Sequence, residues 1–172
     1  MFGAKNKKFY FDDYFSPLGH LMMVSNGEKL CGLYFEDMQR PKICGTKREN
    51  LTVFKLTKKW LDVYFKGQNP NFLPPLLLEG RSFEMFVWKE LLKIGFGQTT
   101  TYGQIARKAD KENMSAQAVG QAVKRNPIVL IVPCHRVVGA KGVLTGYAGG
   151  IERKQKLLEL EMQANQTQRK MC

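Results

Sequence analysis

Cys134 and His135 stand side by side in IVPCHRVVG, residues 131–139, between two apolar runs. A thiolate is a strong nucleophile, and imidazole is the side chain best suited to take a proton near neutral pH. Neighbours on a strand point to opposite faces, and i and i+1 on a helix do not face each other. Cooperation between the two therefore requires a turn of the backbone at this point, or a bridging water. A carboxylate behind the imidazole would fix its tautomer and support its charged form. Glu161 is one candidate, and Glu152 and Glu159 are others that spacing leaves open. A Cys-His dipeptide beside a buried strand also suits a purely structural role.

The elements that must position this pair divide by pattern. KFYFDDYF, the Ser16-Pro17-Leu18-Gly19 turn, HLMMVS, the Asn26-Gly27 hairpin signal and KLCGLYF predict an antiparallel meander. Between residues 46 and 66, Val53, Phe54, Trp60, Leu61, Tyr64 and Phe65 recur at helical spacing, so a helix covers the meander. GQNPNFLPPLLLEG, rich in Pro and Gly, reads as a linker. Beyond it the chain reads as helices. Ser82 caps a helix with a stripe of Phe83, Phe86, Val87, Leu91 and Ile94, and Thr101-Tyr102-Gly103-Gln104 forms a capping box for a short helix to about Ala109. Ser115 caps a second short helix, AQAVGQAVKRN, stopped by Pro127. The two make a helix-turn-helix pattern. IVLIVP reads as a buried strand into Cys134, IERKQKLLELEMQ as a closing helix, and ANQTQRKMC as a frayed end. The expected fold is α/β in the α+β sense. Residues 1–78 form a small antiparallel sheet with a helix and a linker, 79–165 a mostly helical, winged-helix-like unit, and 166–172 a flexible tail.

The chain has 172 residues, and Lys and Arg outnumber Asp and Glu 27 to 15, a net charge of +12. That balance suits a polyanionic partner, nucleic acid first. No apolar run approaches the roughly 20 residues of a membrane span, and the start lacks the pattern of a cleavable leader. Cys31, Cys44, Cys134 and Cys172 lie far apart, which suits reduced thiols in the cytoplasm. The second short helix is built of Ala116, Ala118, Val119, Gly120, Ala122 and Val123 and ends on Lys124 and Arg125. Small residues allow close approach to a DNA groove or, equally, to a neighbouring helix.

VPCHRV, preceded by RNP and followed by GYAGG, resembles the active-site signature of the O6-alkylguanine-DNA alkyltransferases, also called methylated-DNA–protein-cysteine methyltransferases. The match runs in order from Phe83 to Glu161, through FxxxVWxxLxxIxxGxxxxYGxIA, AVGxAVxxNP, IVPCHRVVG and GYAGGxxRKxxLLxLE, about half the chain. The first half shares only the SPLG turn and the strand–helix order.

The resemblance implies a base-flipping protein that binds double-stranded DNA carrying alkylated guanine through the minor groove. Cys134 would attack the alkyl carbon on O6, His135 would act as a water-mediated base, and Glu161 would hold the far nitrogen. Tyr102 would donate at N3 of the base, and the N–H of Ala148 would bond O6. Carbonyls of Cys134 and Val137 would accept the exocyclic amine, with Tyr147 and Gly149 around the pocket and Val129 at its mouth. Asn126 would tie the helix to the active-site segment, and Arg136 would support it. Ser115, Gln117, Ala118, Gly120, Lys124 and Arg125 would face DNA. The product would be an irreversible thioether after one turnover, with no cofactor, in a monomer able to load cooperatively on DNA near the nucleoid or nucleus. O4-alkylthymine is a further substrate to weigh.

Relatives that only sense damage carry tryptophan in place of the nucleophile, and this chain has Cys134. The family's common arginine at the start of the second short helix is replaced here by Gln117. Some relatives hold zinc in the first domain, but the spacing of His20, Cys31 and Cys44 matches no usual zinc pattern, so no metal is expected.

Overall fold

Aromatic residues of the first segment and the apolar runs of the next two make the first strands. In the computed structural model, described for residues 8–39, 41–109 and 115–170, β1 (Phe9–Ser16), β2 (Gly19–Ser25) and β3 (Leu30–Phe35) form the expected antiparallel meander. Gly19 takes φ +122° in the first turn and Gly27 φ +107° in the second, conformations that a side chain would oppose. A fourth strand, β4 (Gly45–Lys47), joins the outer edge of β1 in parallel, so the order is β3-β2-β1-β4. The expected antiparallel meander is thus extended by one short parallel edge strand. Residues 46 and 47 pair with β1 instead of opening the helix.

The helix α1 (Thr52–Phe65) starts later than its apolar spacing suggested and buries Val53, Phe54, Thr57, Trp60, Leu61 and Tyr64. The Pro-rich stretch 67–80 contains no helix. Leu30 N–H donates to Pro75 O and Leu77 N–H to Leu30 O, both at 2.8 Å, so this stretch lies along β3. By backbone contacts the chain forms two units, Met1–Glu79 with Pro127–Val129, and Gly80–Asn126 with Leu130–Cys172.

In the second unit, α2 (Ser82–Leu92) begins at Ser82 rather than after it. Arg81 is the cap, and its N–H donates to the Glu84 carboxylate at 2.9 Å. Thr101 and Gln104 form the expected capping box for α3 (Tyr102–Arg107), and Ser115 Oγ accepts the Ala118 N–H to start α4 (Ala116–Lys124). The DKENM turn lies outside the described residues. α4 buries Val119, Ala122 and Val123, and the indole of Trp88 on α2 donates to Ala122 O at 2.9 Å. Small residues thus serve helix packing on one face of α4.

The expected strand over 128–133 does not form. Only Ile128 bridges to Leu33, and residues 129–133 are a buried run of turns in which Leu130 takes φ +70°. Their backbone cannot stay extended through that left-handed step. β5 (Thr100–Thr101) and β6 (Val137–Val138) form a short parallel ladder. The last helix, α5 (Ile151–Lys170), continues through the polar end expected to fray, and Cys172 lies outside the described residues.

Candidate active site

The backbone turn demanded by the Cys-His dipeptide is present. Cys134–Arg136 is a single 3-10 turn, held by Cys134 N–H to Val132 O at 2.8 Å and Arg136 N–H to Pro133 O at 3.1 Å. Asn126, buried at the end of α4, donates its amide to Val132 O at 2.8 Å, and its side chain also bonds the Cys134 thiol. The reactive-type cysteine is therefore fixed from the helix-turn-helix side.

Behind the turn, His135 Nε2 lies 2.7 Å from Glu161 Oε1, and both side chains are fully buried. Of the three carboxylates left open by spacing, it is Glu161 that meets the imidazole; Glu152 and Glu159 are exposed. Arg136 bonds the same carboxylate through Nε at 3.0 Å and Nη2 at 3.1 Å, and its Nη1 reaches Ile94 O at 2.6 Å. Gly97 N–H adds a fourth donor at 2.8 Å. Burial would push Glu161 up, but the bonds and charges of His135 and Arg136 hold it down at about 2. Burial pushes His135 below its ordinary value despite Glu161. The resting pair is thus a neutral imidazole donating from Nε2 to a carboxylate, which makes Nδ1 the basic nitrogen of the ring.

Burial also pushes the Cys134 thiol up to about 11, against the opposing pull of the Asn126 bond and the Lys154 ammonium. The resting sulfur is protonated, so nucleophilic attack needs a base, and Nδ1 of His135 is the basic atom of the adjacent side chain. The Tyr147 hydroxyl is buried and coupled to the Cys134 sulfur, which together with burial holds its phenol well above the ordinary range. Tyr102 is half-buried at the first position of α3, and its hydroxyl donates towards the Thr145 and Gly146 carbonyls, each at 3.2 Å.

The remaining expected site residues fall into groups. Val137 is buried in β6, Ala148 is half-buried, and Gly149 is buried with its carbonyl accepting Arg153 at 2.9 Å. Val129 is buried, and its N–H donates to Leu33 O at 3.1 Å. Ser115, Gln117, Lys124 and Arg125 are exposed along α4, while Ala118 and Gly120 are half-buried. A Cβ on Gly120 would stand 3.8 Å from the Tyr102 ring. Arg125 bonds Glu84 at 3.0 Å. His20 bonds Asp13 at 2.8 Å and Glu36 at 3.1 Å, Cys31 is buried and Cys44 exposed; no group of three potential ligands for a metal occurs among the described residues.

Sequence reasoning missed Lys154 and Gly97. Lys154 is fully buried, and its ammonium donates to Val137 O at 2.5 Å and Thr145 O at 2.8 Å. The available signal was its place seven residues before Glu161, on the same stripe of α5 as Leu157 and Leu158.

A sheet-and-helix unit joined to a helical unit that buries a cysteine against a His–Glu–Arg cluster, beside a helix-turn-helix, defines the class. Residues 82–163 match the 6-O-methylguanine DNA methyltransferase DNA binding domain, and residues 9–78 match the ribonuclease-like domain of the same proteins. The methylated-DNA–protein-cysteine methyltransferase of Mycobacterium leprae is 44% identical over 85% of this chain and 88% of its own length. The Mycobacterium tuberculosis O6-methylguanine methyltransferase structure aligns with TM-score 0.82 and 40% identity, over 91% of this chain and 94% of that one. A second structure, Mycobacterium tuberculosis OGT in complex with DNA, aligns with TM-score 0.79 and 39% identity over the same shares. The chain belongs to the methylated-DNA–protein-cysteine methyltransferase family.

Proposed function

We propose that this protein repairs DNA by moving a methyl or larger alkyl group from O6 of guanine to its own Cys134. The observation that carries the assignment to this residue is the buried thiol beside His135, whose Nε2 is held 2.7 Å from Glu161. In the reaction the thiol proton passes to Nδ1 of His135, through a bridging water as the family resemblance implies. The sulfur lone pair forms the S–C bond as the C–O bond breaks, and the electron pair of that bond leaves with guanine. Charge on the departing base is neutralised by proton donation at N3 from Tyr102, so the thiol proton is matched by one gained on the base. Neutralising a leaving group as its bond breaks is the largest lever such a site has. The thioether has no route back, so each molecule acts once.

The base is reached by flipping it from the duplex, with α4 in the minor groove and Gln117 filling the gap it leaves. The protein acts as a monomer that can load cooperatively on DNA, and a reduced thiol suits the cytoplasm or nucleus. The test is the intact mass after mixing with a duplex holding one O6-methylguanine, beside Cys134→Ala. A gain of one methyl, saturating at one per protein and absent from the variant, is expected. Binding with no gain in mass overturns the transfer and leaves a damage sensor.

A further inference from the structure

Lys154 is a fully buried ammonium whose bonding partners among the described residues are two main-chain carbonyls, Val137 O and Thr145 O, rather than a carboxylate. A buried cation without a carboxylate partner is costly and needs a reason beyond stability. Its surroundings supply one. Val137 belongs to β6, directly after the Cys134 turn, and Thr145 belongs to the loop that leads to Tyr147 and Ala148. Thr145 O is also one of the two carbonyls that receive the Tyr102 hydroxyl, and the ammonium lies 5.9 Å from the centroid of the Tyr102 ring. Strand, loop and α3 thus meet at one nitrogen.

If Tyr102 is to donate to a base, its hydroxyl must leave the carbonyls that hold it at rest. Without another donor the Thr145 carbonyl would lose its hydrogen bond at that moment, and with it the tie that holds this exposed loop against the pocket. We propose that Lys154 is a positioning residue of the base pocket: it keeps the Thr145 and Val137 carbonyls bonded and in place while Tyr102 turns from the loop to the flipped base. The inference rests on the transfer reaction proposed above. It makes the resting Tyr102 bond a latch, with Lys154 as the group that lets the latch open without moving the loop.

The test is a double-mutant cycle of Lys154→Met and Tyr102→Phe, followed by single-turnover methyl transfer at saturating duplex, DNA affinity, and labelling of Cys134 by a small iodoacetamide-type reagent. In the Tyr102 background, Lys154→Met is expected to slow transfer about 10- to 100-fold through misplacement of the donor. DNA affinity stays within about twofold, and any slowing of labelling, which follows from losing the ammonium that pulls the thiol down, is equal in the two backgrounds. In the Tyr102→Phe background the same substitution costs little, because the two residues act as a unit. Equal losses of transfer in both backgrounds, or no loss at all, each overturn the inference. Should Lys154→Met not fold, Lys154→Arg, which keeps donors but not their reach, carries the same cycle, and an additive loss there overturns it. Wild-type protein that gains no methyl sinks the transfer reaction and this inference together, whereas methyl gain with an additive cycle sinks the inference alone.

Discussion

Glu161 Oε1 lies 2.7 Å from His135 Nε2 with both side chains sealed from solvent, and the same carboxylate takes Arg136 and the Gly97 N–H. This is a buried charge cluster in which every acceptor position is used, so removing the charge has two consequences. Glu161 is held at about 2 against an ordinary 4.5. A depressed acid stabilises the fold above its unfolded value and loses that contribution as pH falls through the folded one. The loss, worth about 3 kcal/mol, therefore spans the range from about 4.5 down to 2. His135 adds an earlier phase. Burial lowers it below 6.5, so the unfolded chain takes that proton first and stability begins to fall below that pH. Glu161→Gln should lower the neutral-pH stability by about 3 kcal/mol through the uncompensated Arg136 and flatten the curve below pH 4.5. Urea midpoints from pH 7 to 3 read both, and parallel curves for the two proteins would sink the assignment. Methyl acceptance by the variant should drop about 100-fold, as the imidazole loses its fixed tautomer.

Gly97 carries a second expectation. It sits at φ +69°, its N–H bonds Glu161, and an added Cβ would come within 1.9 Å of Asn165 Nδ2 and 3.2 Å of Glu161 O. Gly97→Ala meets a backbone penalty of about 1–2 kcal/mol and a clash with a side chain that can move. Thermal unfolding should show Gly97→Ala clearly destabilised and the Gly97→Ala, Asn165→Ala pair partly restored. A double variant no better than the single one would mean that the clash does not matter and that backbone strain is the whole effect.

Where local chemistry dictated structure, the sequence was legible. The hairpin turns, the Thr101–Gln104 box, the Ser115 cap and the apolar face of α1 all rest on contacts within a few residues of each other. What failed was set by distant partners. The apolar run 128–133 looks like a strand, but its hydrogen bonds go to Leu33, to the Asn126 amide and to its own turn, and Leu130 is driven to φ +70°. β4 is three exposed residues with no pattern of their own, recruited by the free edge of β1. In the site, Cys134 and His135 were readable because their chemistry is distinctive, whereas Glu161 was set apart from Glu152 and Glu159 only by the family resemblance. Lys154 was hidden as one of six charged residues in IERKQKLLELE, where a buried cation looks like its solvated neighbours.

Gln117 is exposed at the second position of α4, two turns before the exposed Lys124 and close to the Ser115 cap. Replacing it with the charge common in the family should tighten DNA binding at low salt. One added phosphate contact steepens the slope of log affinity against log salt by about 0.9. Fluorescence anisotropy at several salt concentrations measures this for Gln117→Arg. An unchanged slope with unchanged affinity would show that this position does not meet DNA. The fold should be nearly indifferent, since surface changes of this kind stay within about 0.5 kcal/mol.

Tyr102→Phe separates chemistry from structure at the opposite wall of the site. Its hydroxyl donates to Thr145 O and Gly146 O at 3.2 Å each, long for a hydroxyl donor, and Lys154 still serves Thr145 O when it is gone. Stability should therefore fall by no more than about 1 kcal/mol. Burial holds the phenol above its ordinary value, so at neutral pH the group has its proton to give. Removing a positioned proton donor should slow methyl transfer by about 100-fold or more while the duplex still binds with wild-type affinity. Single-turnover rates at saturating duplex, set beside anisotropy titrations, check the pair of outcomes. A rate within a few-fold of wild type would assign neutralisation of the leaving base to a group other than Tyr102.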